Sequence, residues 1–181
     1  GPDADWTPGV GPATRNRIQG NSIHSNAALG IDLDARPIVS SSGWQTWGDG
    51  LTANDWLDGD SGGNALQNYP LIASVQTGTS TRVVGGLHSR ANATFTLDFY
   101  ANTAADANGF DEGQRWLGTS QVATNSWGNA TFDVTLRAAS ATGDKITATA
   151  TDSAGNTSEF SPDPARLLTV TNTNDSGVGS L

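Results

Sequence analysis

Apolar side chains recur at every second position through the latter half of the chain. Phe95, Leu97 and Phe99 share one face of an extended segment, as do Phe132, Val134 and Leu136, and Ile146, Ala148 and Ala150. The intervening residues are Thr, Asp and Arg, so these strands are expected to turn one face to a core and the other to water. Glycine, Asn and Asp clusters separate the alternating segments. Strands are predicted over residues 70–77, 81–89, 93–102, 115–124, 129–137, 145–151 and 157–161, the spacing of two antiparallel sheets packed face to face. The expected fold class is all-β, an antiparallel β-sandwich preceded by a β-helix-like coil and an Asp/Gly-rich connector.

The first third of the chain follows another rule. Ile18, Ile23, Leu29, Ile31 and Leu33 stand singly between Asn, Gly and Ser, as in one coil of a parallel β-helix, where each short strand points one or two aliphatics inward. A single coil cannot bury its own face, so it must stack on a neighbouring coil or on the unit that follows. Residues 35–65 lack periodicity and are rich in Gly and Asp; a loop of that length is usually functional or ligand-stabilised. The expected division is a lead-in at 1–14, beginning with a Gly1-Pro2 tag-removal scar, a coil or cap at 15–34, a connector at 35–65, a sandwich at 66–163, and at 164–181 a linker with the opening strand of a following repeat. On this reading the chain is a piece of a larger protein.

Composition sharpens the picture. Sixteen of the 18 acidic residues are Asp, the only glutamates are Glu112 and Glu159, and the net charge is −9. Asp and Asn favour turns and Thr favours strands, in keeping with a loop-rich β protein. Eight arginines and one lysine are scattered along the chain, so the basic footprint of a nucleic-acid binder is lacking. Without cysteine, no disulfide framework, zinc ribbon or thiol nucleophile can form. No apolar run approaches the roughly 18 residues of a membrane span.

The connector carries the clearest chemistry. Asp49, Asp55, Asp58 and Asp60 crowd into twelve residues, with no basic residue between Arg36 and Arg82. Asp58 and Asp60, at i and i+2 with glycines after them, resemble half of a calcium loop, and Asn54, Asn64 or backbone carbonyls would complete a shell of hard oxygen ligands. The set Asp49, Asn54, Asp55, Asp58, Asp60 and Asn64 is therefore a candidate structural Ca2+ site. A second acidic loop offers Asp106, Asn108, Asp111 and Glu112. Trp44, Trp47 and Trp56 lie outside the strand pattern and form an alternative, saccharide-stacking site. Gly59-Asp60-Ser61-Gly62-Gly63 matches the pentapeptide around a trypsin-like serine nucleophile, but the one upstream histidine, His24, leaves no room for a barrel between them. His24 and His88 read as solitary hydrogen-bonding residues, and Asp152 with Asn156 as a side-chain-stabilised turn.

Two stretches carry a family resemblance. Ile-Thr-Ala-Thr-Ala-Thr-Asp-Ser-Ala-Gly-Asn-Thr-Ser-Glu-Phe-Ser, residues 146–161, is similar to the closing hairpin of bacterial immunoglobulin-like repeats of large surface proteins. Gly-Asn-Ser-Ile-His-Ser-Asn-Ala-Ala-Leu-Gly-Ile-Asp-Leu, residues 20–33, resembles the last coil of right-handed parallel β-helix regions, which an Asp-rich connector and a segment like Leu-Gln-Asn-Tyr-Pro-Leu-Ile, residues 66–72, then follow. Residues 169–181 resemble the opening strand of the next such region. The resemblance implies an extracellular, secreted or surface-attached bacterial module that is structural or adhesive and not an enzyme. Its partners would be neighbouring domains of the same parent chain and a cell-surface or polysaccharide ligand. The alternatives are a carbohydrate-binding module and a fragment of a β-helix polysaccharide-degrading enzyme.

Overall fold

The computed structural model describes residues 12–33, 50–104 and 112–162. Six strands are present: β1 Leu71–Gln76, β2 Thr81–His88, β3 Thr94–Asn102, β4 Arg115–Ala123, β5 Asn129–Leu136 and β6 Lys145–Asp152. Each lies within one or two residues of a predicted strand. They form two three-stranded antiparallel sheets, ordered β1-β2-β5 and β4-β3-β6. One core joins them: Ile72, Val83, Leu87, Phe132 and Leu136 from the first sheet meet Phe95, Leu97, Phe99, Ile146, Ala148 and Ala150 from the second. The Phe99 and Phe132 rings meet edge to face across that core, 5.6 Å between centroids, the geometry their quadrupoles favour. Among the described residues no helix is long and apolar enough to cross a membrane.

The seventh predicted strand is not regular. Residues 157–161 run beside β6 through one bridge, Thr151 to Thr157, and the N–H groups of Ser158 and Ser161 donate to Ala150 and Ala148 carbonyls. In return the N–H groups of Ala150 and Ala148 donate to the hydroxyls of Ser158 and Ser161, each at 2.9 Å. Serine side chains thus take the place of ladder carbonyls, and the segment stays hydrogen-bonded without strand geometry.

The expectation that Thr and Asp positions of the middle strands face water fails for β3 and β6. Asp98, Tyr100 and Asn102 on β3, and Thr147, Thr149 and Thr151 on β6, are all buried. The reason is the segment at residues 12–33, which packs on this sheet. Ile31 and Leu33 join Leu66, Tyr100 and Phe160 in a second apolar cluster, with Ile18 and Ile23 against it. This segment contains no strand; its only bridge pairs Ile23 with Gly113. Its backbone is held by side chains of β3 and of the residues after β6 instead: Arg15 N–H donates to Asn156 Oδ1 at 2.7 Å, Ile18 N–H to Thr157 Oγ1 at 2.9 Å and Gly20 N–H to the Tyr100 hydroxyl at 3.1 Å.

Burial leaves one acid poorly compensated. Asp98 Oδ1 accepts the Trp116 indole N–H at 2.7 Å, but Oδ2 has no hydrogen-bond partner. Loss of water raises its carboxyl above the ordinary aspartate value, outweighing the Trp116 indole and the Gln19 side chain, which favour the ionised form. Thr149, its register partner on β6, likewise holds a buried hydroxyl without a partner. Because the folded-state value lies above the unfolded one, the penalty of the ionised form is present above the folded-state pKa. It fades as pH falls through that value toward the unfolded one. Asp98→Asn keeps the acceptor for Trp116, removes the charge and supplies a donor opposite Thr149. It is expected to stabilise the fold at pH 7 by on the order of 1 kcal/mol, and the gain should shrink as thermal melts are repeated toward pH 4. A variant that melts lower than wild type at pH 7 would contradict this account.

Candidate metal centre

The described part of the connector is shaped by two short turns, Trp56–Asp58 and Gly63–Leu66. Both use left-handed backbone at non-glycine residues: Leu57 and Asp58 have φ of 60° and 55°, and Asn64, Ala65 and Leu66 have 47°, 56° and 48°. Each such residue costs roughly 1–2 kcal/mol, so the turns persist only because their surroundings hold them.

Asn68 does much of that holding. It is buried, and its side chain accepts from Asp55 N–H at 3.1 Å while donating to the carbonyls of Asp55 and His88, both at 2.9 Å. Its own N–H donates to Asp58 Oδ1 at 2.8 Å. The other Asp58 oxygen accepts the Ser89 hydroxyl at 3.0 Å, and Ser89 in turn accepts from Gln67 Nε2 at 3.0 Å. Asp55 Oδ2 accepts from Gly59 N–H at 3.0 Å and closes the turn.

The fold brings Asp55, Asp58 and Asp60 together, one carboxylate oxygen from each lying within 4.8 Å of the others. Burial raises the Asp58 carboxyl, with Asp55 adding to the effect, while the Asn68 N–H, the Ser89 hydroxyl and Arg90 pull the other way. Asp60 is raised by burial and then by its two acidic neighbours. Asp55 Oδ1 and Asp60 Oδ1 are shielded from water and accept no hydrogen bond. The donor set is all oxygen, the kind a hard cation such as calcium takes.

The other expected ligands are placed differently. Asn54 pairs with the backbone of Tyr69, accepting its N–H at 3.0 Å and donating to its carbonyl at 2.8 Å. Asn64, also buried, accepts from Asn16 N–H and donates to the carbonyls of Asn16 and Thr157. Both amides serve as backbone clamps. Glu112 accepts from Asn26 Nδ2 at 2.8 Å, beside a polar cleft lined by His24, Ser25 and Gln114. Asp49, Trp44 and Trp47, with Asp106, Asn108 and Asp111 of the second loop, lie outside the described residues, as do 1–11 and 163–181.

A basic partner that is remote in sequence also arrives. Arg90 reaches Asp58 Oδ2 at 3.5 Å and Asp152 Oδ2 at 2.8 Å, so one of the three clustered charges is compensated by the protein itself. Burial alone would raise Asp152; N–H groups of Asn156 and Gly155 with Arg90 outweigh it and hold its carboxyl below the ordinary value. The expected side-chain-stabilised turn at 152–156 is thus present. Ser61 is exposed, and the histidines are bonded elsewhere: His24 Nδ1 pairs with Ser25 Oγ, and His88 with Leu57 and Asn129. Comparison with protein families and with curated proteins finds no match to this chain.

Asn68 and Ser89 carried no signal as site residues, because they act on the acids through hydrogen bonds and not through charge. Asn68→Ala removes two side-chain hydrogen bonds to Asp55 of the acidic turn and one to the His88 carbonyl of β2, and is expected to lower unfolding free energy by about 3 kcal/mol. A loss below about 1 kcal/mol in urea titration would show that the turn is held by other means.

Proposed function

We propose that this chain is a non-catalytic structural module of a bacterial surface protein, in which Asp55, Asp58 and Asp60 bind a calcium ion. The ion stiffens the junction between the connector and the sheets. The convergence of the three carboxylates carries this reading. Three acids brought together by one turn repel one another unless a cation shares them, and two of their oxygens accept no hydrogen bond. Carbonyls of the left-handed turns and water would fill the remaining positions of a six- to eight-oxygen shell.

Further support comes from the sheet orders β1-β2-β5 and β4-β3-β6 with residues 157–161 alongside β6. That arrangement is compatible with an immunoglobulin-like sandwich whose closing strand is irregular. A mechanical role in an adhesive, extracellular array suits such a unit. Extracellular modules bind calcium with dissociation constants of about 10⁻⁴ to 10⁻³ M, within reach of the metal outside cells. The chain has no cysteine to staple the junction instead.

Calcium at ten times its dissociation constant would add about 1.4 kcal/mol and raise the melting temperature by several degrees. Chelator should reverse the gain. Asp60→Asn, at the rim of the cluster and outside the Asp58 network, should abolish most of it, while the metal-free melting temperature stays at or rises slightly above that of the wild type because one repelling charge is gone. Identical melts with calcium and with chelator would refute the metal reading.

A further inference from the structure

Four large apolar side chains are exposed among the described residues, and three of them gather at one end of the sheet β1-β2-β5. Trp56 and Trp127 are each about two-thirds exposed, at 67% and 68%, and Leu71 is 45% exposed. The Trp56 ring lies on the His88 ring, 4.6 Å between centroids. His88 is on the outward face of β2, paired in register with Asn129 on β5. One pair further along the same face, Gly86 lies between Leu71 on β1 and Thr131 on β5. With no side chain at Gly86, a strip of bare backbone runs between these flanking groups.

Trp127 is fixed to the same place. Its turn is tied by Asn125, whose side-chain oxygen accepts N–H groups from Trp127 at 2.9 Å and Asn129 at 3.0 Å. Gly128 follows with φ 77°, so close to its surroundings that a Cβ there would stand 2.3 Å from the Ser89 carbonyl oxygen and 2.6 Å from Leu57 Cδ2. Only glycine permits that approach, and it packs the Trp127 turn against the Trp56 turn. Both indoles therefore project from backbone one residue away from a contact. The polar groups between them are equally fixed. Leu57 N–H donates to His88 Nε2 at 3.2 Å, so the neutral ring carries its proton on Nδ1 and donates it to Asn129 Oδ1 at 2.9 Å. The amide NH2 of Asn129, an exposed residue, is left to donate outward.

We propose that this end of the sheet binds a neutral saccharide, whose C–H faces stack on Trp56 and Trp127 and whose hydroxyls meet the Asn129 amide. The chemistry selects this occupant in two ways. The three exposed side chains offer roughly 400 Å² of apolar surface, about half the ~800 Å² per partner of a stable protein interface. They are also interleaved with fixed polar groups, as flat amphipathic rings require. The net charge of −9 disfavours an anionic polymer. This site differs from the Trp44, Trp47 and Trp56 set expected from sequence, since its second indole is Trp127.

The test is calorimetric titration of the whole chain with cellohexaose, laminarihexaose and mannohexaose as neutral probes and polygalacturonate as the anionic one. The neutral probes are titrated both in calcium and in chelator, so the result does not depend on whether the carboxylates bind the metal, and polygalacturonate is titrated in chelator, because calcium cross-links that polymer. At least one neutral hexasaccharide should bind, and Trp56→Ala and Trp127→Ala should each weaken it at least about tenfold. Both rings are exposed, so the variants should keep the wild-type melting temperature to within a few degrees; tryptophan fluorescence quenched by the same probe gives a second readout. Binding that survives both substitutions, binding of polygalacturonate alone, or no binding by any probe would each overturn the proposal.

Discussion

The fold rests on the docking of the segment at 12–33 against the sheet β4-β3-β6. That segment makes almost no ladder of its own, yet its backbone must be satisfied once covered. The sheet answers with side chains: Asn156, Thr157, Tyr100, Glu112 and Glu159 all accept hydrogen bonds from it. The two glutamates of the chain are both buried, at 3% and 1% exposure, and both are fasteners for this segment. A long flexible acid placed in the interior costs several kcal/mol unless fully hydrogen-bonded, so these positions exist to hold the segment down. In turn, the segment converts what would be a wet sheet face into a second buried layer of Thr, Asn, Asp and Tyr.

The acidic turn belongs to the same network. Asn64, one residue into the Gly63–Leu66 turn, clamps Asn16 of the docked segment to Thr157 beside β6. Arg90, just beyond β2, joins Asp58 of the acidic turn to Asp152 at the end of β6. Asp58 is therefore positioned from both sheets, by Ser89 and Arg90 after β2 and, through Arg90, by Asp152 at the end of β6. The left-handed residues of the two turns are tolerated for this reason: the cost of their backbone is offset by buried hydrogen bonds that no other conformation would form.

The strands were legible because alternation is a local signal. Phe95, Leu97 and Phe99 announce β3 whatever lies above them, and the six strand positions followed from such patterns. What covers a face is not local. Asp98 and Thr149 look like solvent-facing residues in the sequence, and they are buried only because a second layer, the docked segment with Leu66 and Phe160, lies on their face. The same holds at the acidic cluster. Asp55, Asp58 and Asp60 stood out through charge and spacing, whereas Asn54 and Asn64 looked like further ligands because an amide oxygen reads the same whether it meets a cation or a backbone N–H. Arg90 and Trp127 reach their places only through the pairing of β2 with β5 and the turns beyond, contacts between residues tens of positions apart.

Glu159 has one more consequence. Its two oxygens accept N–H groups from Leu33 at 2.9 Å and from Thr52 at 2.7 Å, and the Thr52 hydroxyl donates to the Leu33 carbonyl at 3.2 Å. One buried carboxylate thereby holds the end of the docked segment and Thr52 of the connector side by side. During synthesis, the mutual placement of Leu33 and Thr52 therefore waits for an acid that is added 107 positions after Thr52.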